Sequence, residues 1–253
     1  MKFSGFRSDA WTFFRQLKRN NHREWFLKNR PRYDKWVIAP SVQLVRTLET
    51  RPAFKKLGLS NLEKNPLYRI NRDLRFSLDK SPYKTHNGLV LTRTGNRKDS
   101  SGCFYLHLEP SGCFMAAGFW QPPPALLYLF RRWIVENPVK AKRTLYPLIK
   151  KPLEDESRLS RLPRGFESIT DPTLQELLKR KSWIAGVSLP EKSLGSSTLV
   201  GILERFLIKA SPLLQIGWPI LDAWRADGGD PEWQQRQRKA KDQRFGHRRE
   251  PHA

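Results

Sequence analysis

The sequence predicts an α+β fold, with one mostly antiparallel sheet of about five strands and helices packed mainly on one face. Three observations predict it. Apolar residues recur at helical spacing from Ser8 to about residue 50, residues 66–120 switch to a period of two with turn chemistry between the runs, and helical spacing returns from Pro124 to Trp224. The N- and C-terminal parts are therefore helical, and the sheet lies between them in sequence.

Ser8 opens a first amphipathic helix carrying Trp11, Phe14 and Leu17. Asn21, with Glu24 three residues on, reads as the N-cap of a second helix in an Asn-x-x-Glu variant of the capping box. Pro31 predicts a kink or a break with re-entry. Beyond it Tyr33, Trp36, Val37, Leu44, Val45 and Leu48 keep helical spacing.

Strands are expected at Leu67–Ile70, Gly88–Arg93, Cys103–Leu108 and Cys113–Trp120, with a fifth at Ser182–Leu189. Glu109-Pro110-Ser111-Gly112 is a hairpin signal. A two-residue loop at Pro110-Ser111 pairs Leu108 with Cys113 and Cys103 with Gly118. The two cysteines then lie ~17 Å apart along the ladder, too far for a disulfide. One hairpin face carries Phe104, Leu106, Leu108, Cys113, Met115, Ala117 and Phe119, all apolar, and is the core side. The other carries Tyr105, His107 and Glu109 beside Phe114, Ala116 and Gly118, with small residues opposite Tyr105. That face either takes a ligand or another element, or is a partly solvated outer surface.

Pro124 suits the first turn of a helix carrying Leu126, Leu129, Phe130, Trp133 and Ile134. Another helix follows over 138–150, and Asp171-Pro172 opens one with Leu174, Leu177 and Leu178. Ser197–Lys209 is strongly amphipathic, and Ser211-Pro212 is expected to start a last helix ending near Trp224. Apolar periodicity stops after that. The organisation predicted is a single domain over 1–226 and a basic, disordered tail over 227–253.

The chain has 253 residues, 38% of them hydrophobic, with nine tryptophans, enough for a core without disulfides. No apolar run approaches the roughly 18–20 residues of a membrane span, and the N-terminus lacks a signal-peptide pattern. A cytoplasmic protein with no membrane association is expected. The charge stands out: 47 Lys+Arg against 24 Asp+Glu, net +23. That excess favours polyanions, so the partner classes are nucleic acid or a phosphorylated ligand; an arginine-rich solvated surface is the alternative.

The densest polar constellation is Arg72–Thr85. Arg72, Arg75, Lys80 and Lys84 are suited to hold a phosphate or carboxylate, Arg as a planar fork and Lys as a point charge. Tyr83 and Tyr105 are added as hydrogen-bonding or stacking ligand residues. Asp73 and Asp79 are candidates for acid/base chemistry or for holding a divalent ion beside an anionic ligand, and His107 for a general base beside Tyr105. A structural or interaction protein in which this segment is an ion-pair brace with no ligand is the competing reading, and an enzyme acting on a phosphorylated or carboxylated substrate is a further one. Five cations over 69–84 face two aspartates, which tilts the balance toward a site. The five histidines show no metal-ligand spacing, so no metal site is predicted, and no cofactor motif is present.

Several blocks resemble one known family. These are Asn21-His22-Arg23-Glu24-Trp25-Phe26 with Arg30, Tyr33 and Pro40, then Arg72-Asp73-Leu74-Arg75-Phe76 and Asp79-Lys80-Ser81-Pro82-Tyr83-Lys84-Thr85. Tyr105-Leu106-His107-Leu108-Glu109-Pro110, Gly118-Phe119-Trp120 with Pro122, Leu162-Pro163-Arg164-Gly165-Phe166 and Leu178-Lys179-Arg180-Lys181-Ser182 complete the match. The family is the one catalogued as domain of unknown function 2461, and the likeness spans about residues 3–225. Trp120, where a tyrosine is common, and the basic tail depart from its pattern. The resemblance implies a single domain and no established activity.

Overall fold

Residues 87–91, 103–108 and 113–119 form three strands of an antiparallel sheet in chain order, and a fourth strand from far along the chain joins its last edge. The computed structural model describes residues 3–61, 65–73, 79–96, 101–149 and 158–229. Helices α1 (Ser8–Arg19), α2 (Arg23–Tyr33), α3 (Ala39–Glu49) and α4 (Pro52–Lys56) precede the sheet. Strands β1 (Asn87–Leu91), β2 (Cys103–Leu108) and β3 (Cys113–Phe119) follow. Next come α5 (Pro124–Glu136), α6 (Pro138–Lys140), α7 (Tyr146–Ile149) and α8 (Pro172–Leu178), then β4 (Trp183–Leu189), α9 (Glu191–Leu194) and α10 (Thr198–Ala226). The strand order is β1-β2-β3-β4, antiparallel throughout.

The hairpin register is the one the turn chemistry predicts, with Cys103 opposite Gly118, and both cysteines are free thiols. All seven residues assigned to its core face are buried. Against that face lie Phe54 of α4, edge-on to Phe104, Phe130 of α5, edge-on to Phe119 and stacked on Trp183, and Phe206 of α10 beside Phe104.

The sheet has four strands, not about five. Leu67–Ile70 contributes only an isolated bridge, Leu67 to Leu89. The Leu67 amide donates to Asn65 Oδ1 at 3.0 Å, and the segment divides its pairing between two partners. Tyr68 N reaches Gly88 O, but Lys84 N then reaches Ile70 O and Arg72 N reaches Pro82 O. No continuous ladder survives that division.

Prolines interrupt less than expected. Pro31 sits inside α2, and a π-helical turn over Asp34–Ile38 carries the helical path into α3 without a break. Pro212 and Pro219 sit inside α10, one helix of 29 residues where two were expected. Pro212 has no N–H to offer the Ile208 carbonyl four residues back, and the Ser211 hydroxyl donates to that oxygen instead, at 2.9 Å. Among the described residues no helix is long and apolar enough to cross a membrane. The predicted tail lies outside the described residues beyond Gly229.

Candidate functional site

On the sheet face away from α10, Tyr105, His107 and Glu109 follow one another at alternate positions along and just past β2. The Tyr105 hydroxyl lies 3.1 Å from His107 Nδ1, and His107 Nε2 lies 3.2 Å from Glu109 Oε2. An ionised carboxylate only accepts, so this network assigns the imidazole proton to Nε2 and has Nδ1 accept from the phenol. Phe114, opposite His107 in register, stacks on the imidazole at 4.6 Å with the rings 12° apart. Gly88, opposite it on β1, leaves the space that Tyr105 uses: a Cβ there would meet Tyr105 Oη at 2.5 Å.

A second wall comes from the chain before β1. Residues 67–72 run antiparallel to 82–89, and Asn21 of the α1–α2 turn holds both backbone groups of Tyr83. This arrangement brings Lys84 and His86 up to the β2 row, with the His86 ring 4.7 Å from that of His107. Burial drives the His86 imidazole down to a pKa of about 4, and His107, Lys84 and Arg72 push the same way against Glu109. Burial also lowers His107, opposed by its hydrogen bond to Glu109. Both imidazoles are therefore neutral at pH 7. The Tyr105 phenol is raised by burial and stays protonated.

The cations predicted as ligand-binding differ in what they do. Arg72 pairs with Asp79 at 3.0 Å, yet its buried Nε has no hydrogen-bond partner. Lys84 is half-buried, and its pKa is lowered by burial, then by Arg72 and Arg69, against the pull of Asp73. Among the described residues no carboxylate lies within ion-pair distance of its ammonium. Lys80 and Asp73 are exposed and have partners of their own. Arg75 lies outside the described residues.

Two predicted roles change. Tyr83 is 5% exposed and stacks on Phe26 at 4.2 Å, so it is a core residue and does not present its ring to a ligand. Asp79 accepts from Ser81 N at 2.9 Å and pairs with Arg72, and its carboxyl is held below the usual range by the Ser81 hydroxyl first, then the Ser81 amide, with Arg72 adding less. It is tied to Ser81 and Arg72, and the acid–base side chains in mutual contact on this face are His107 and Glu109. His86 and Glu109 are the members that the sequence reading left out. Glu109 carried a signal, its alternation with Tyr105 and His107. His86 carried none, because only the β1–β2 register brings it there. Two concavities, of about 160 Å³ around the β2–β3 turn and about 400 Å³ beside Pro122 and Arg131, do not include Arg72, Lys84 or His86 in their linings.

Residues 9–215 match a family model described as a conserved hypothetical protein, DUF2461. No curated protein and no solved structure matches the chain.

Proposed function

We propose, for a chain that belongs to the DUF2461 family, that the face formed by Arg72, Lys84 and the Tyr105–His107–Glu109 row binds a small phosphate- or carboxylate-bearing ligand. The observation that carries this reading is unused donor capacity. A half-buried ammonium and a buried guanidinium N–H are costly to leave unpaired. An anion seated between Lys84 and Arg72 would supply acceptors to both. The net charge of +23 supports the same sign of ligand by raising the potential that draws anions in. With no metal on it, the His107–Glu109 pair is the group on this face suited to exchange a proton with such a ligand.

Titration of the full chain with inorganic phosphate, pyrophosphate and a single-stranded oligonucleotide, each at several salt concentrations, tests this. Phosphate or pyrophosphate is expected to bind, and Lys84→Ala to weaken it about tenfold, the worth of one charge-assisted hydrogen bond. A small anion gives a shallow salt dependence, whereas nucleic acid spanning many phosphates gives a steep one. Failure of all three ligands, or wild-type affinity in both Lys84→Ala and Arg72→Ala, overturns the reading. The Arg72–Asp79 ion pair favours a second one, a braced loop without a ligand. In that case Arg72→Ala lowers the melting temperature and no anion raises it.

A further inference from the structure

We propose that His86, His107 and Glu109 form a binding site for a divalent transition-metal ion of the zinc or iron(II) class. One ligand atom from each of these three side chains lies within 4.8 Å of the other two. Ligand atoms bound to a common metal at ~2.0–2.2 Å sit ~3–3.6 Å from one another. His107 Nε2 and Glu109 Oε2, 3.2 Å apart, already have that spacing. His86 closes the remaining difference by a side-chain adjustment, and it sits just before β1, outside the β1–β2 ladder. Two imidazoles and one carboxylate are a donor set that suits zinc or iron(II) better than calcium or magnesium, and three ligands leave coordination positions open.

The surroundings are those of a held ligand set. With Nε2 on a metal, His107 carries its proton on Nδ1 and donates it to the Tyr105 hydroxyl across the existing 3.1 Å contact. Metal-bound histidines ordinarily donate their other N–H to an oxygen in this way. The stacked Phe114 ring fixes the imidazole plane. The charges facing His86 are Glu109, which favours a cation, and Lys84 and Arg72, which oppose one. The two cations lower the affinity for a bare dication and draw an anion onto its open positions. The metal proposal does not depend on the anion reading, since its probe is the metal alone.

No sequence motif announces this set, because its members come from two segments. Asn87 pairs with Leu108, and that register puts the preceding residue, His86, beside the end of β2.

The test uses the full chain, stripped with a chelator and exchanged into a buffer free of phosphate and carboxylates. It is titrated with Zn²⁺ by calorimetry and with Co²⁺ by visible absorption, and melted with and without Zn²⁺. One equivalent of Zn²⁺ should bind at micromolar Kd or tighter, give a ligand-field spectrum with Co²⁺, and raise the Tm. His86→Ala and His107→Ala should each weaken Zn²⁺ binding about tenfold or more. His22→Ala and the tail double variant His247→Ala/His252→Ala should bind as the wild type does. If His107→Ala does not fold, His86→Ala decides, with its metal-free Tm as the folding control. Absence of Zn²⁺ binding, its retention in His86→Ala, or its loss in the tail variant overturns the proposal. None of these outcomes bears on phosphate binding measured without metal.

Discussion

Asn21 does a different job from the one its local sequence suggests. Followed by Glu24, it reads as a helix N-cap, but the cap is His22, whose Nδ1 accepts from Trp25 N at 3.4 Å. The Asn21 amide instead acts as a strand partner for Tyr83: Nδ2 donates to Tyr83 O at 2.8 Å, and Oδ1 accepts from Tyr83 N at 3.0 Å. These bonds join residues 62 positions apart, so no local pattern could reveal them. They fix the backbone just before Lys84 and His86, and the Tyr83 ring anchors it from below on Phe26. Asn21→Ala removes both bonds and leaves two backbone groups to find water in a half-buried place. A loss of about 2 kcal/mol is expected, seen as a lower urea midpoint with unchanged m. An unchanged midpoint would show that the clamp contributes nothing to stability. At this scale the alternation of Tyr105, His107 and Glu109 was legible, because strand period alone aligns them. His86 and the inward turn of Tyr83 were not, because both follow from long-range pairing.

Elements were legible where local chemistry decides them. The Pro110-Ser111 turn fixed the β2–β3 register, and Asp171 caps α8 by accepting from Leu174 N at 3.0 Å, as Asp171-Pro172 implied. The segment over 67–70 and the continuity of α10 were not legible, since tertiary partners overrode the local signals. The close approach of α10 to the sheet makes this testable at two of its glycines. A Cβ at Gly217 would enter the ring of Phe119, which is 1% exposed and pinned by Phe130. Overpacking there costs ~1–3 kcal/mol, more than the ~1 kcal/mol that alanine gains in helix propensity. Gly201 on the same helix meets only Arg205 Nη1, at 3.3 Å, the movable end of a long side chain. Gly217→Ala should therefore destabilise the protein and Gly201→Ala stabilise it by about 0.5–1 kcal/mol. Urea titrations of the two variants giving shifts of the same sign would contradict this account of how α10 seats on β3.

Across the whole molecule, helix α10 joins parts that are distant in sequence. Its Asp222 takes a two-pronged contact from Arg93, at 2.9 and 2.6 Å, just after β1. Near its other end Glu204, 7% exposed, receives Arg51 Nε at 2.7 Å and the amide of Ala53 at 3.2 Å. Ala53 lies in the first turn of α4, where helix amides have no partner within the helix, so the carboxylate serves as a cap supplied from 151 residues away. The α+β class was legible because periodicity reports it. Which helix would tie the N-terminal helices to the sheet was not, since the polar residues involved look like ordinary surface charges in sequence. Glu204→Ala leaves the Ala53 amide without its acceptor and Arg51, 43% exposed, to solvent, for an expected cost of about 2 kcal/mol. Glu204→Gln keeps the Oε1 acceptor and gives up the charge, and should recover about half of that loss. If α10 makes the N-terminal helices and the sheet one cooperative unit, both variants shift a single unfolding transition with unchanged m. An early, separate transition in Glu204→Ala, with amide exchange accelerated only across α1–α4, would show that the N-terminal helices open on their own. That opening would release the Asn21 clamp and with it the segment that carries Lys84 and His86, so stability at the Glu204 contact and affinity at the anion site proposed on the far face of the sheet should fall together.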